Sequence, residues 1–258
     1  MKAMILAGGL GTRLAEETAI KPKPLVPIGN MPILWHIMKI YTFHGINDFV
    51  ICLGYKGELI REFFLNYSLM HADVTVDIGG NNYEIHQQRS ENWRVTLADT
   101  GSTTMTGGRI KIASKYLDNN EPFCMTYGDG LGDVNITELI AYHKSHGKDA
   151  TVTSVTPPGR FGILDIASDQ TVLGFREKIA SDQYQINAGF FVLSPSIVDR
   201  IDGVNTVFEQ EPMEALARDG QLMAFSHSGF WQPMDTLRDK NRLEALWASG
   251  QAPWAEWM

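Results

Sequence analysis

The sequence predicts an α/β fold, a doubly wound mixed sheet that is mostly parallel, with an antiparallel extension and small insertions. Three observations carry this. Short apolar runs alternate with amphipathic helical patterns, the first run ends in a glycine-rich turn, and two stretches break the alternation.

Lys2 to Ala7 is a short buried strand that runs into Gly8. Met31 to Phe43 places Ile33, Leu34, Ile37, Met38 and Tyr41 at helical spacing, with Asn30 as cap and Pro32 in the first turn. Asp48 to Gly54 reads as a second buried strand. Lys56 to Asn66 reads as a helix with Leu59, Ile60, Phe63 and Phe64 inward. Phe123 to Tyr127 is a strand followed by the turn GDGLGD, in which Asp133 caps the next helix, Ile136 to Gly147. Ala150 to Thr156 is again a strand, and helices resume at Glu209–Asp219 and Thr236–Ala248. Residues 68–99 lack helical period and read as an irregular insertion. Residues 157–193 are rich in short strands, which usually extend a sheet in antiparallel fashion. With 258 residues and no linker or repeat, residues 1–258 read as one domain carrying these insertions.

The charge balance of 22 basic and 30 acidic residues, a net −8, argues against nucleic-acid binding through a basic surface, while a local pocket can still hold a small anion. Cys52 and Cys124 lie in apolar runs and read as buried, reduced thiols. The opening apolar run is too short for a signal peptide, and no stretch approaches the about 20 residues of a membrane helix. A cytoplasmic protein with no membrane partner is expected.

Gly8, Gly9 and Gly11 let the backbone turn sharply and aim several N–H groups at one point, an anion cradle at the carboxyl end of a strand. Arg13 adds a bidentate cation. The dinucleotide fingerprint fails because Leu14 stands at the third glycine, and the P-loop pattern fails for want of Lys-Ser/Thr. The following Lys21-Pro22-Lys23-Pro24-Leu25-Val26-Pro27 is held extended by its prolines, so Lys23 can keep a fixed position near phosphates. Asp129 and Asp235 stand at separate loop tips, where two carboxylates can share one Mg²⁺. Each also has a plainer reading: Asp129 as an Asp-Gly turn, Asp235 as the N-cap of the helix that follows. Glu177-Lys178 on its own is a solvated hairpin turn. His143 and His146 read as surface residues, and His36 as packed within its helix. Trp247, Trp254 and Trp257 either pack back on the body or fill a subunit interface.

AGGLGTRL followed by KPKPLVPIGNMPIL resembles the signature of the sugar-1-phosphate nucleotidylyltransferases. The likeness continues in order through the GDG turn, RFGILDI, REK, INAGFF and FWQPMDT. Glu16-Glu17-Thr18, Asp99-Thr100-Gly101, Met105-Thr106-Gly107-Gly108-Arg109 and the closing GFWQPMDTLRDK resemble the cytidylyl-transferring branch, and the motifs of the thymidylyl branch are absent. The resemblance implies a Rossmann-like fold and transfer of CMP from CTP to α-D-glucose 1-phosphate, giving CDP-glucose and pyrophosphate with Mg²⁺. UTP or dTTP, another sugar 1-phosphate, or an inactive nucleotide-sensing homologue stay open as alternatives. It implies catalytic roles for Arg13 and Lys23, and nucleotide contacts from Leu6, Gly8, Gly9, Gly11, Thr12, Arg13, Thr106, Gly107, Gly108 and Asp129. It implies sugar-phosphate contacts from Lys23, Gly162, Glu177, Lys178, Asn187 and Gly189, and metal ligation by Asp129 and Asp235. It also implies a homo-oligomer, a hexamer, which favours the subunit interface for Trp247, Trp254 and Trp257. Ile179 departs from the family's usual Glu-Lys-Pro.

Overall fold

Seven strands form one sheet in the computed structural model of the chain, and six of them run the same way. The structure describes residues 1–88, 90–118, 120–157, 162–166, 172–177 and 184–258; of residues 13, 15, 16, 88, 162–166 and 172–177 it describes the main chain alone. The strands are β1 (Ala3–Leu6), β2 (Asp48–Leu53), β3 (Arg94–Asp99), β4 (Phe123–Tyr127), β5 (Ala150–Val155), β6 (Ile186–Leu193) and β7 (Leu222–His227). Their order is β7-β5-β6-β4-β1-β2-β3, and β6 is antiparallel to both of its neighbours.

Alternate side chains leave a strand on opposite faces, and here both faces are buried. Ala3, Ile5, Phe49 and Ile51 pack on one side with Ile33, Leu34, Ile37 and Leu139. Met4, Val50 and Cys52 pack on the other with Ile110, Ala113, Phe208 and Leu216. The first side is covered by α1 (Ile33–Phe43), α2 (Gly57–Met70), α4 (Ile136–His146) and α6 (Leu237–Ala248), the second by α3 (Thr106–Ala113) and α5 (Glu211–Arg218). That is the doubly wound arrangement, and it explains why β1 and β2 read as unbroken apolar runs.

Several expectations change. The insertion at 68–99 is smaller than the sequence suggested: α2 continues to Met70, a hairpin spans Ala72–Asp77 and Asn82–Gln88, and the last part is β3 of the main sheet. As an edge strand β3 is only half-buried, which blunts its apolar signal. β6 does not extend the sheet at its margin; it lies between β4 and β5, buried on both faces over its last six residues. Among the other described residues of the strand-rich stretch, Gly162–Ile166 pairs with Val172–Glu177 in a separate hairpin. Asn30 does not cap α1, because Met31–Pro32 pairs with Pro27–Ile28 and Pro32 takes the N-cap position. Asp133 is not a helix cap either. Asn135 accepts the Glu138 N–H at the start of α4, and Asp133 lies 3.0 Å from His227.

The tryptophans pack back on the body. Trp254 is fully buried, stacked on Phe230 and Trp247, and Trp247 meets His36 edge-on. Trp257 closes on Trp35 with Lys39 above both rings. His143 is buried rather than at the surface, and it shares the Thr151 hydroxyl with His146. Cys52 and Cys124 are buried free thiols, and burial pushes both up to about 12. Among the described residues no helix is long and apolar enough to cross a membrane.

Candidate active site

The carboxyl ends of β1 and β4 lie side by side and open into a cleft of about 620 Å³. Such ends are where open α/β sheets bind ligands. Leu6, Gly8, Gly9, Gly11 and Thr12 line one wall. Gly11 has φ +65, and a Cβ there would meet Thr18 at 2.8 Å and the Lys23 stem at 3.2 Å, so glycine lets the loop turn close to Lys23. The Gly8 carbonyl is held by the Tyr55 N–H and by the Arg109 guanidinium.

Lys23 is the centre of the site. The segment around it is not wholly extended: Pro22 is, but Lys23–Leu25 forms a 3₁₀ turn closed by the Val26 N–H. The turn aims the lysine inward, where its side chain is about 10% exposed and donates to Asp129 Oδ2 at 2.7 Å and Asp235 Oδ1 at 2.8 Å. Burial pulls its pKa down, but the two carboxylates outweigh that and hold it above the ordinary lysine value.

The two aspartates come together through a small ladder. Gly130–Gly132 pairs antiparallel with Trp231–Pro233, Pro233 opposite Gly130, and the Met234 N–H donates to the Asp129 carbonyl. Residues 129 and 235 therefore flank the same end of the ladder. Asp235 is not the N-cap of α6. Thr236 is, in a capping box with Asp239, so the Asp235 carboxylate is turned to Lys23 instead. Two converging carboxylates, already drawn to one cation, are a donor set that suits a hard divalent ion completed by phosphate oxygens and water. No group of three or more potential metal ligands exists among the described residues.

Opposite the glycine loop, Asn187, Ala188, Gly189 and Trp231 line the cleft. The Trp231 indole N–H donates to the Ala188 carbonyl, and the Asn187 side chain bridges the Gly189 N–H and the Tyr127 hydroxyl.

Residues 2–238 match the family described as nucleotidyl transferase. The chain belongs to that family. A glucose-1-phosphate cytidylyltransferase of Salmonella typhimurium is 58% identical over 257 residues, all of each chain. A probable glucose-1-phosphate cytidylyltransferase of Bacillus subtilis is 46% identical, again over the whole of both. Among solved structures, HddC from Yersinia pseudotuberculosis superposes with a TM-score of 0.67 at 24% identity, over 95% of this chain and 99% of that one, a likeness of fold.

In this nucleotidyl transferase the cleft gathers Leu6, Gly8, Gly9, Gly11, Thr12, Lys23, Thr106, Asp129, Asn187, Gly189 and Asp235, all named from sequence. Gly107 and Gly108 are not among the lining residues. They begin α3, where their N–H groups reach the Thr206 carbonyl and a Cβ would come within 2.8 Å of the 204–206 backbone. Their missing side chains admit that loop. Gly162 and Glu177 are register partners in the separate hairpin, described in main chain only. Lys178, Ile179 and the Arg13 side chain lie outside the described residues.

The sequence reading missed two residues. Arg109 is buried and donates to the carbonyls of Gly8, Leu53 and Gly101 and to the Thr100 hydroxyl. Burial lowers its pKa, partly countered by Asp99. It knits three loops at the carboxyl ends of the strands and also lines the cleft. Glu209 reaches the cleft from the turn before α5 and accepts from Tyr127 and Thr106. Only the third dimension brings 106, 127 and 209 together.

Proposed function

We propose that this nucleotidyl transferase moves CMP from CTP to α-D-glucose 1-phosphate, giving CDP-glucose and releasing pyrophosphate. The observation that carries the reading is the 58% identity to a cytidylyltransferase over the full length of both chains. The Lys23–Asp129–Asp235 cluster at the mouth of the glycine loop supports it, and its intactness argues against an inactive homologue.

The reaction is a direct displacement. A sugar-phosphate oxygen forms a bond to the α-phosphorus in line with the bond to pyrophosphate, which breaks and carries its electron pair away. The nucleophile is already an anion, so no general base is required, and catalysis is alignment plus charge neutralisation. The N–H groups of Gly8, Gly9 and Gly11, with Arg13, hold the triphosphate. Lys23 meets the charge that grows on the transferred phosphoryl group. Asp129 and Asp235 are the residues that would hold one Mg²⁺, which when bound neutralises phosphate charge and eases departure of pyrophosphate. Lys178 steadies the second anion, while Gly162, Glu177, Asn187 and Gly189 receive the sugar. Thr106 stands on the nucleoside side.

The reading includes a homo-oligomer in the cytoplasm, a hexamer by resemblance. The hairpin at 72–88 supports self-association. Val74, Val76, Tyr83 and Ile85 share one of its faces, and Val76 and Tyr83 are about 60% exposed. A two-stranded hairpin with a bare apolar face is marginal alone.

Pyrophosphate release from CTP and glucose 1-phosphate tests the proposal, with and without a metal chelator. Turnover with this pair that stops in excess chelator is expected. No turnover, or full turnover in chelator, contradicts the substrates or the metal respectively.

A further inference from the structure

Glu209 is a half-buried carboxylate in the cleft wall, and the mechanism above gives it no part. Its Oε1 accepts from the Tyr127 hydroxyl at 2.5 Å, and its Oε2 accepts from the Thr106 hydroxyl at 2.6 Å. Three distant segments thus converge on it: the end of β4, the start of α3, and the turn before α5.

An ionised carboxylate only accepts, so both hydroxyl protons are committed to it. Each hydroxyl oxygen then receives a proton from behind. The Phe208 N–H donates to Thr106 Oγ1 at 2.9 Å. Asn187 Nδ2 donates to the Tyr127 oxygen at 3.3 Å, which leaves Asn187 Oδ1 to accept the Gly189 N–H at 2.7 Å. Two hydrogen-bonded arms therefore end on Glu209. One runs to Thr106, on the nucleoside side, and the other through Tyr127 to Asn187, on the sugar side. Burial, and then the charge of Glu209, holds Tyr127 well above the usual tyrosine value, so it stays a protonated donor.

We propose that Glu209 is a positioning residue that joins the two substrate subsites, setting the direction of both hydrogen-bonded arms and hence the groups that Thr106 and Asn187 can offer. This rests on the assignment of the nucleotide and sugar sides given above. A glutamine at 209 has one accepting oxygen and one donating NH₂, so one arm must reverse. Reversing the longer arm flips the Asn187 amide and sets its NH₂ against the Gly189 N–H, donor against donor.

The test varies both substrates in Glu209→Ala, Glu209→Gln, Tyr127→Phe and Thr106→Val, using whichever nucleoside triphosphate and sugar 1-phosphate the wild type turns over. Glu209→Ala removes both acceptors and is expected to raise the KM of both substrates by about 10-fold, as for loss of one charge-assisted hydrogen bond on each arm. Glu209→Gln keeps one accepting oxygen and should raise the KM of one substrate more than that of the other. Tyr127→Phe should raise the sugar phosphate's KM alone and Thr106→Val the nucleotide's alone. Adding Tyr127→Phe to Glu209→Ala should change little, because the hydroxyl has already lost its acceptor. The Thr106→Val/Tyr127→Phe pair keeps Glu209 and should match Glu209→Ala in both KM values; it supplies the same test if the Ala variant fails to fold. Unchanged KM values, or effects of Glu209→Ala and Tyr127→Phe that multiply, overturn the proposal. A wild type inactive with CTP and glucose 1-phosphate counts against the substrate reading instead.

Discussion

The Lys23 ammonium sits between the two carboxylates that the sequence marks as metal ligands, so a single side chain touches both halves of the proposed chemistry. Its pKa is raised, so the stability it draws from Asp129 and Asp235 is fully present below about pH 10.5 and is lost only as pH climbs through the raised value. Lys23→Ala is expected to cut turnover by ~10²–10³-fold while nucleotide affinity stays within about 10-fold. Steady-state kinetics beside equilibrium nucleotide binding separate the two, and near-normal turnover would show the lysine to be structural only. His36 makes a different prediction. It is fully buried, bonded to the Ile28 carbonyl at 2.9 Å, and burial drives its pKa down to about 4 against the pull of its backbone partners. The unfolded chain takes up a proton near pH 6.5 and the folded one only near 4, so stability from this group is intact above 6.5 and falls as pH drops toward 4. The full drop corresponds to roughly 3 kcal/mol. Urea unfolding at pH 7 and 4.5 should show a smaller pH dependence in His36→Gln than in the wild type, and parallel profiles would contradict this. At this scale the sequence singled out Lys23 through its proline-held segment and Asp129 and Asp235 as carboxylates at loop tips, while the resemblance chose between their metal and plainer readings. It gave no role to Glu209, in the turn before α5, or to Arg109 within α3, since the contacts with Thr106 and with Gly8 that bring them to the cleft span about 100 positions.

Elements with a strong local signal were placed within a few residues. β1, β2 and β4 are short apolar runs, and α4 starts with Asn135 and stops at Gly147 in the left-handed conformation. Elements whose partners are remote were misjudged. β3 is an edge strand with a charged residue at each end, and nothing local says that it joins β2. β6 carries the pattern of a strand but not its address between β4 and β5. The Thr236 capping box also decides between two plausible roles for Asp235, since by type Asp235 is at least as good a cap as Thr236 and only the reciprocal bond to Asp239 favours the threonine. In the hairpin at 72–88, Val76→Asp should reduce the assembly mass measured by light scattering without altering the circular dichroism spectrum, because Val76 is 63% exposed. An unchanged assembly mass would remove the hairpin from the proposed interface.

Across the whole molecule, the sheet order brings the ends of β1 and β4 together, and the 130–132/231–233 ladder carries Asp235 back to them from near the end of the chain. Chemistry assembled from residues 6–23, 106, 127–129, 187–189, 209 and 231–235 depends on the whole fold. The sequence conveyed that architecture because the alternation of buried strands and helices is global. The packing of the terminal tryptophans around His36 was not legible, since an aromatic cluster looks the same whether a neighbouring subunit or the chain's own core covers it. The choice of base is the claim on which the functional account turns. Equal concentrations of CTP and UTP in one reaction with limiting glucose 1-phosphate, resolved chromatographically, report the ratio of the two kcat/KM values directly. CDP-glucose is expected in excess over UDP-glucose by at least about 100-fold, because a site offering an acceptor to the cytosine amino group leaves two acceptors facing each other with uracil. Comparable amounts of the two products would contradict it.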